Sequence, residues 1–212
     1  MIVYGSSMSP FVRKVLAFAA EKGIALETKP VGLGSEDPDF IAASPFKKIP
    51  AFRDGDFSIS DSSAIIAYLD AIKPEPALIP HEPRARARTI WYDEFTDTLL
   101  FACGAKMFFN RIVAPRFLKR EGNAEVADKA ECEELPPLLD YLEGVIPESG
   151  FLVEDRLTLA DIAVASPFAN FRHLGLDLGP RPKLIGYVER MLERPSFSSW
   201  VDRETAFLAR AA

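Results

Sequence analysis

The chain has 212 residues, 48% of them apolar and 11% aromatic, enough to bury a core in one large domain or two small ones. Its 31 acidic residues outnumber 25 basic ones for a formal charge of -6, which argues against nucleic acid or an anionic membrane as partner. No apolar run approaches the ~20 residues that span a bilayer, and the amino end lacks a basic segment leading into an apolar stretch and cleavage site. The expected location is therefore the cytoplasm.

Met1 to Tyr4 suits an extended strand, and Pro10 to Lys22 a helix stopped by Gly23, because Val12, Val15, Leu16 and Ala19 form one apolar stripe. Ser9 is a natural N-cap and Pro10 a natural first residue, so Ser9 falls at the strand-to-helix corner. A hydroxyl there either caps the helix or, beside unpaired N–H groups and a partial positive charge, helps hold an anion. Leu26 to Pro30 is again extended, completing a β-α-β unit. Gly32 to Ser44 is turn-rich, with a helical turn or two over Asp37 to Ala43. Asp54-Gly55 between Ala51–Arg53 and Phe57–Ser60 predicts a two-residue hairpin with positive φ at both loop positions. Asp61 to Ile72 repeats Ile65, Tyr68, Leu69 and Ile72 at helical spacing.

Lys73 to Pro83 carries four prolines in eleven residues, which blocks a continued helix and marks a linker. From Arg84 onward no alternating strand pattern is evident, so the second part is expected to be all helical. Thr158-Leu-Ala-Asp161 has the form of a capping box with Asp for Glu, opening the stripe Leu159, Ile162, Ala163 and Ser166. Leu184, Tyr187, Val188, Met191 and Leu192 trace another helix. Pro136-Pro137 interrupts the pattern from Ala124 to Leu142 and predicts a kink or two helices. Arg84, Arg86 and Arg88 read as a solvated helix face. Cys103 and Cys132 form no Cys-x-x-Cys pair, and His81 and His173 are too isolated to complete a zinc site with them, so neither a disulfide framework nor a metal is expected.

A β-α-β unit, hairpin and helix followed by a proline-rich linker and a helical domain resembles the cytosolic glutathione S-transferases. Four segments carry the resemblance: Ser9-Pro10-Phe11-Val12-Arg13-Lys14-Val15, Ser44-Pro45-Phe46-Lys47-Lys48-Ile49-Pro50-Ala51-Phe52, Asp61-Ser62-Ser63-Ala64-Ile65-Ile66-Ala67-Tyr68-Leu69, and Thr158-Leu159-Ala160-Asp161-Ile162-Ala163. They are similar, in order, to the serine-type catalytic corner (theta-, zeta- or tau-like), the loop before a cis-proline, the acidic-Ser pair opening the third helix, and the cap of a buried helix. The implied fold is a thioredoxin-like domain over residues 1–74 with a mixed sheet and cis-proline, a linker over 75–83, and an all-α domain over 84–212.

The resemblance implies transfer of glutathione, as co-substrate, to an apolar small-molecule electrophile, with peroxidase or dehalogenase activity as variants. It also implies a homodimer. Pro50 is then cis, with the backbone of Ile49 pairing with the cysteinyl peptide. Asp61 meets the γ-glutamyl ammonium, Ser62 its carboxylate, and Lys48 the glycyl carboxylate, where plain capping and a solvated lysine are the alternatives. Ser9 stands where disulfide-exchanging relatives carry Cys, which disfavours a thiol-disulfide oxidoreductase. It is expected to donate a hydrogen bond to the glutathione thiolate, being too weakly acidic to act as a base; Ser7 is the reserve and Tyr4 a competitor. Phe108, Phe109 and Ile112 are candidates for the electrophile pocket or for ordinary helix packing. A non-catalytic glutathione-binding or stress-response protein on the same scaffold is the rival reading.

Overall fold

Ile2–Tyr4 (β1) pairs in parallel with Glu27–Lys29 (β2) and antiparallel with Ala51–Asp54 (β3), which pairs antiparallel with Phe57–Ser60 (β4), in the order β2-β1-β3-β4. The computed structural model describes residues 1–32 and 34–210; Leu33, inside the predicted turn-rich stretch, and Ala211-Ala212 lie outside the described residues. Strand alternation sorts side chains between two faces. Val3 and Phe52 are buried with Pro10–Glu21 (α1) and Ser62–Ile72 (α3), whereas Tyr4 and Ala51 pack with Phe40 and Ala43 of the short helix Pro38–Ala43 (α2).

The hairpin forms one residue later than expected. Asp54 pairs with Phe57, so the loop is Gly55-Asp56, and only Gly55 has positive φ (61°), as a turn with glycine at its first central position requires. Asp54 remains in the strand and accepts a hydrogen bond from the Tyr68 hydroxyl at 2.8 Å.

After α3 the chain crosses the prolines to Pro83–Phe95 (α4), where Pro83 occupies the first turn and the Glu82 side chain accepts from Ala85 N. Phe101–Phe108 (α5), Ala124–Lys129 (α6), Leu135–Val145 (α7), Leu159–Leu174 (α8), Pro182–Leu192 (α9) and Pro195–Arg210 (α10) complete a unit that is helical apart from an isolated Val153–Arg156 bridge among the described residues. Wide turns closed by i→i−5 bonds, Phe101 N to Thr96 O and Leu135 N to Ala130 O, join α4 to α5 and α6 to α7. Pro136 and Pro137 thus sit in the first turn of α7, where a missing N–H costs little, and the break falls just before them. Pro115 lies within a third wide turn, Phe109–Phe117. Arg84, Arg86 and Arg88 are all exposed.

Helix α8 is the centre of this unit. Leu159 to Phe171 are buried without a break, all the way round the helix, rather than along one stripe. Its start is tied by Asp161, whose Oδ2 accepts from Thr158 N (2.9 Å) and Oγ1 (3.1 Å) and whose Oδ1 accepts from Leu152 N (2.8 Å). Gly175 ends it in the left-handed region at φ 68°.

Helix α1 is buried on both sides, by the sheet and by α8, so its polar residues reach into the helical unit. Arg13, fully buried, bonds Glu204 of α10 and Ser166 and Asn170 of α8; Lys14, 1% exposed, pairs with Asp93 at 2.6 Å and Asp97 at 2.7 Å. Glu21 accepts from Arg194 and Ser196. Lys22 holds Asp70 and the carbonyls of Lys73, Pro74 and Pro76, which places the linker.

Candidate active site

Three loops meet at the carboxyl end of β1. Gly5, at φ 140°, leads from β1 toward α1 and could carry no side chain: a Cβ there would lie 2.6 Å from Val12 Cγ2 and 3.2 Å from Ile49 Cβ. That closeness sets the Ile49-Pro50 loop against the first turn of α1. Asp61 N donates to Pro50 O at 3.4 Å, and Lys14 Nζ donates to Ser63 Oγ at 3.3 Å, which brings in the start of α3. The corner of Ser9, the Ile49-Pro50 segment and the Asp61-Ser62 pair are therefore neighbours.

Ser9 occupies the N-cap of α1 with extended backbone, yet its side chain makes no capping bond. The half-buried hydroxyl has no partner among the described residues, while its backbone N–H donates to Ser6 O at 3.0 Å. Simple capping thus does not use the group that makes serine a favoured cap. Arg13, four residues on, points away into the helical unit. Ser7 is turned toward the Glu204 carboxylate. Tyr4 is fully buried on the α2 face, its ring 6.3 Å from that of Phe40, and its hydroxyl is sealed from solvent with no partner among the described residues.

The Ile49–Pro50 bond is cis. Ser44 clamps the loop ahead of it, its Oγ accepting from Lys48 N at 2.9 Å and donating to Lys48 O at 2.8 Å. The N–H and C=O of Ile49 take no backbone partner among the described residues, which leaves an edge on which an extended peptide can pair. The Lys48 side chain is exposed beside it.

Asp61 has φ 89°, a conformation that costs a non-glycine residue energy and persists only where the surroundings hold it. Here its Oδ1 caps α3, accepting from Ser63 N and Ala64 N at 2.9 Å each, while Oδ2 is left for another donor. Ser62, at the first position of α3, is buried. Beneath lies the cluster of Lys14, Ser63, Asp93 and Asp97; Ser63 Oγ donates to Asp93 Oδ2 at 2.7 Å. Burial pushes the Asp97 carboxyl up from its ordinary 3.8 to about 6, against the charge of Lys14.

Of the pocket candidates, Phe108 is half-buried, Ile112 buried, and Phe109 exposed with Arg120 above its ring at 5.3 Å. The α5 ring that α1 meets is Phe101, whose centroid lies 4.2 Å from that of Phe11. At the far end Phe117 stacks on Phe207 of α10, and Arg116 donates to Leu208 O. Phe101 and Phe207 carry no sequence signal beyond being aromatic. Asn170 does: it is an amide in an otherwise apolar buried turn, and it donates to Met8 O at 3.0 Å, beside Ser9. Two open concavities lie away from this corner. A concavity of about 550 Å³ lies on Glu125, Asp128 and Cys132, and another of about 230 Å³ lies between α9 and residues 146–150. Among the described residues no group of three or more His, Cys, Asp or Glu side chains is arranged to hold a metal.

Comparison with known proteins gives two family matches: residues 3–77 to the glutathione S-transferase N-terminal domain and residues 97–195 to the glutathione S-transferase C-terminal domain. Glutathione S-transferase 3 of Zea mays is 30% identical, covering 94% of this chain and 92% of its own. A stringent starvation protein A homolog of Coxiella burnetii is 27% identical, over 94% and 90%. The structure of the theta class glutathione S-transferase of Xanthomonas axonopodis pv. citri, with glutathione bound, aligns at TM-score 0.82 and 25% identity, over 94% of this chain and 96% of that one.

Proposed function

Because the chain belongs to the glutathione S-transferase family, with its thioredoxin-like domain and helical second domain, we propose that it transfers the thiolate of glutathione to an apolar electrophile at the Ser9 corner. What carries this reading is the convergence of an unengaged hydroxyl, an unpaired peptide edge and a charged helix start. Residues 1–74 bind glutathione, 75–83 link, and 84–212 supply the electrophile's walls. The Ile49 backbone pairs with the cysteinyl peptide, Pro50 ends that edge, Asp61 Oδ2 takes the γ-glutamyl ammonium, Ser62 its carboxylate, and Lys48 the glycyl carboxylate.

A free cysteine-type thiol has a pKa of about 8.5, and each unit of lowering needs ~1.4 kcal/mol of preference for the anion, which one charge-assisted hydrogen bond from Ser9 Oγ supplies. The thiolate sulfur attacks an electrophilic carbon, a C–S bond forms, and the displaced group leaves with its electron pair. Phe101, Phe108 and Ile112 wall the electrophile, while Phe109 faces solvent. A cytoplasmic location belongs to the same reading, as a member of a family of cytosolic enzymes; no helix among the described residues is long and apolar enough to cross a membrane.

The test is retention on immobilised glutathione followed by turnover with aryl halides, epoxides, enones and hydroperoxides. Retention with conjugation is expected. No retention overturns the reading, and retention without turnover on any of them overturns the enzyme in favour of a binding protein.

Homodimerisation is part of the same reading. It is supported by apolar side chains left at the surface, Phe46 at 84% exposure, Leu99 at 51% and Trp91 at 48%. Light scattering at micromolar concentration is expected to return twice the chain mass; a value near 23.5 kDa overturns it.

A further inference from the structure

The peptide between Met8 and Ser9 is held at both ends by different parts of the molecule. Its N–H donates to Ser6 O at 3.0 Å, within the loop. Its C=O accepts from Asn170 Nδ2 at 3.0 Å, from the middle of α8 and 162 residues away in sequence. A peptide plane fixed at its oxygen and its nitrogen leaves the following Cα little freedom, so these two bonds set the point from which the Ser9 side chain projects.

The amide of Asn170 is itself fixed. Its Oδ1 accepts from Arg13 Nη1 at 2.9 Å, and because guanidinium only donates, Nδ2 must face Met8. Arg13 is set in turn by Ser166 O at 2.6 Å and by both oxygens of Glu204, at 3.3 and 2.7 Å; His173 Nε2 lies 3.0 Å from Glu204 Oε2. Asn170 is 4% exposed and Glu204 3%, so water does not compete for these bonds. Burial works to raise the Glu204 carboxyl, but the charge of Arg13 and bonds from His173 and Ser7 hold it below the usual carboxylate range.

We propose that Asn170 is a positioning residue for thiolate formation, acting on Ser9 through the Met8 carbonyl and oriented by Arg13 and Glu204. The role rests on the reading of Ser9 as thiol donor. It makes the helical domain a determinant of thiol acidity as well as of electrophile choice.

Asn170→Asp keeps the shape and the Arg13 partner but replaces the donor to Met8 O with a carboxylate oxygen that repels it. A displaced donor of about 1 Å can cost ~100-fold, so kcat is expected to fall about 10- to 100-fold with KM for glutathione nearly unchanged. The apparent pKa of the enzyme-bound thiol, titrated by thiolate absorbance, is expected to rise by about half a unit to one unit. Asn170→Ala serves if the aspartate variant does not fold. In a Ser9→Ala background Asn170→Ala, which adds no charge of its own, is expected to produce no further pKa change, because the group it positions is gone. An unshifted titration in the Asn170 variants beside a shifted one in Ser9→Ala overturns the positioning role alone, as does a shift that persists in the double variant. An unshifted titration in Ser9→Ala itself overturns the serine reading and this inference with it.

Discussion

Replacing Ser9 by alanine is expected to lower turnover by about 10- to 1000-fold and to raise the apparent pKa of bound glutathione, while affinity for the whole tripeptide changes far less. An N-cap serine normally costs about 1 kcal/mol of stability when removed, but the Ser9 hydroxyl makes no capping bond, so thermal stability is expected to move little. This separates a role in the thiol chemistry from a role in the fold. Asp61→Asn supplies the opposite pattern. Asparagine tolerates positive φ and can still cap α3 through its oxygen, so the substitution removes mainly a charge. Loss of one charge-assisted bond of ~1.5–3 kcal/mol should weaken glutathione binding about 10- to 100-fold and leave the chemical step near normal. Turnover and thiol titration are measured with one aryl halide across pH, with Tyr4→Phe as control. A shift in Tyr4→Phe beside an unchanged Ser9→Ala overturns the serine assignment.

The second large effect is expected in stability. Lys14→Met leaves Asp93 and Asp97 facing each other at 2% and 18% side-chain exposure with their shared cation gone. Breaking a buried pair by removing one partner costs about 3–5 kcal/mol, which for a chain of this size lowers Tm by roughly 6 to 20 °C. The sign of the pH dependence follows from Asp97. Its folded pKa, about 6 by burial, lies above the ordinary 3.8, so between those values the folded state binds more proton than the unfolded state and stability falls as pH rises. Without Lys14 that carboxyl rises further, and the deficit of Lys14→Met should be largest at pH 8 and smaller at pH 5. Calorimetry at both pH values decides it. Equal deficits, or a loss below about 1 kcal/mol at pH 8, would remove the lysine from its central place in this cluster.

Local signals made much of this architecture legible. Pro10 in a first turn and the Thr158-Asp161 capping box mark helix starts because both act over a few residues, and the proline run marks the crossing between units. The hairpin slipped by one residue because Asp54-Gly55 and Gly55-Asp56 both offer a glycine, and only the pairing of Asp54 with Phe57 decides between them. Tyr4 could not be excluded from sequence, since the face it takes depends on which strand neighbours β1. Arg13 looked like part of a motif spacing; its partner Glu204 is 191 residues away, and such separation leaves no local trace. The wide turns around Thr96 and Phe109 were equally silent, since an extra residue per turn alters a helical pattern too little to be read, whereas Pro136-Pro137 marked the break that the wide turn at Ala130–Glu134 makes.

Helix α1 has a consequence for how this protein could be recombined with its relatives. It is covalently part of the sheet domain, but Arg13, Lys14 and Glu21 find their partners in α4, α8 and the α9–α10 region. A chimera joined anywhere along residues 73–83 would inherit those three charges from one parent and their buried counterparts from the other. Exchange of the helical domain is therefore permitted only between chains that agree at Asp93, Asp97, Asn170, Arg194 and Glu204. The proline-rich crossing, the obvious place to cut, is not a boundary across which the two halves can evolve independently.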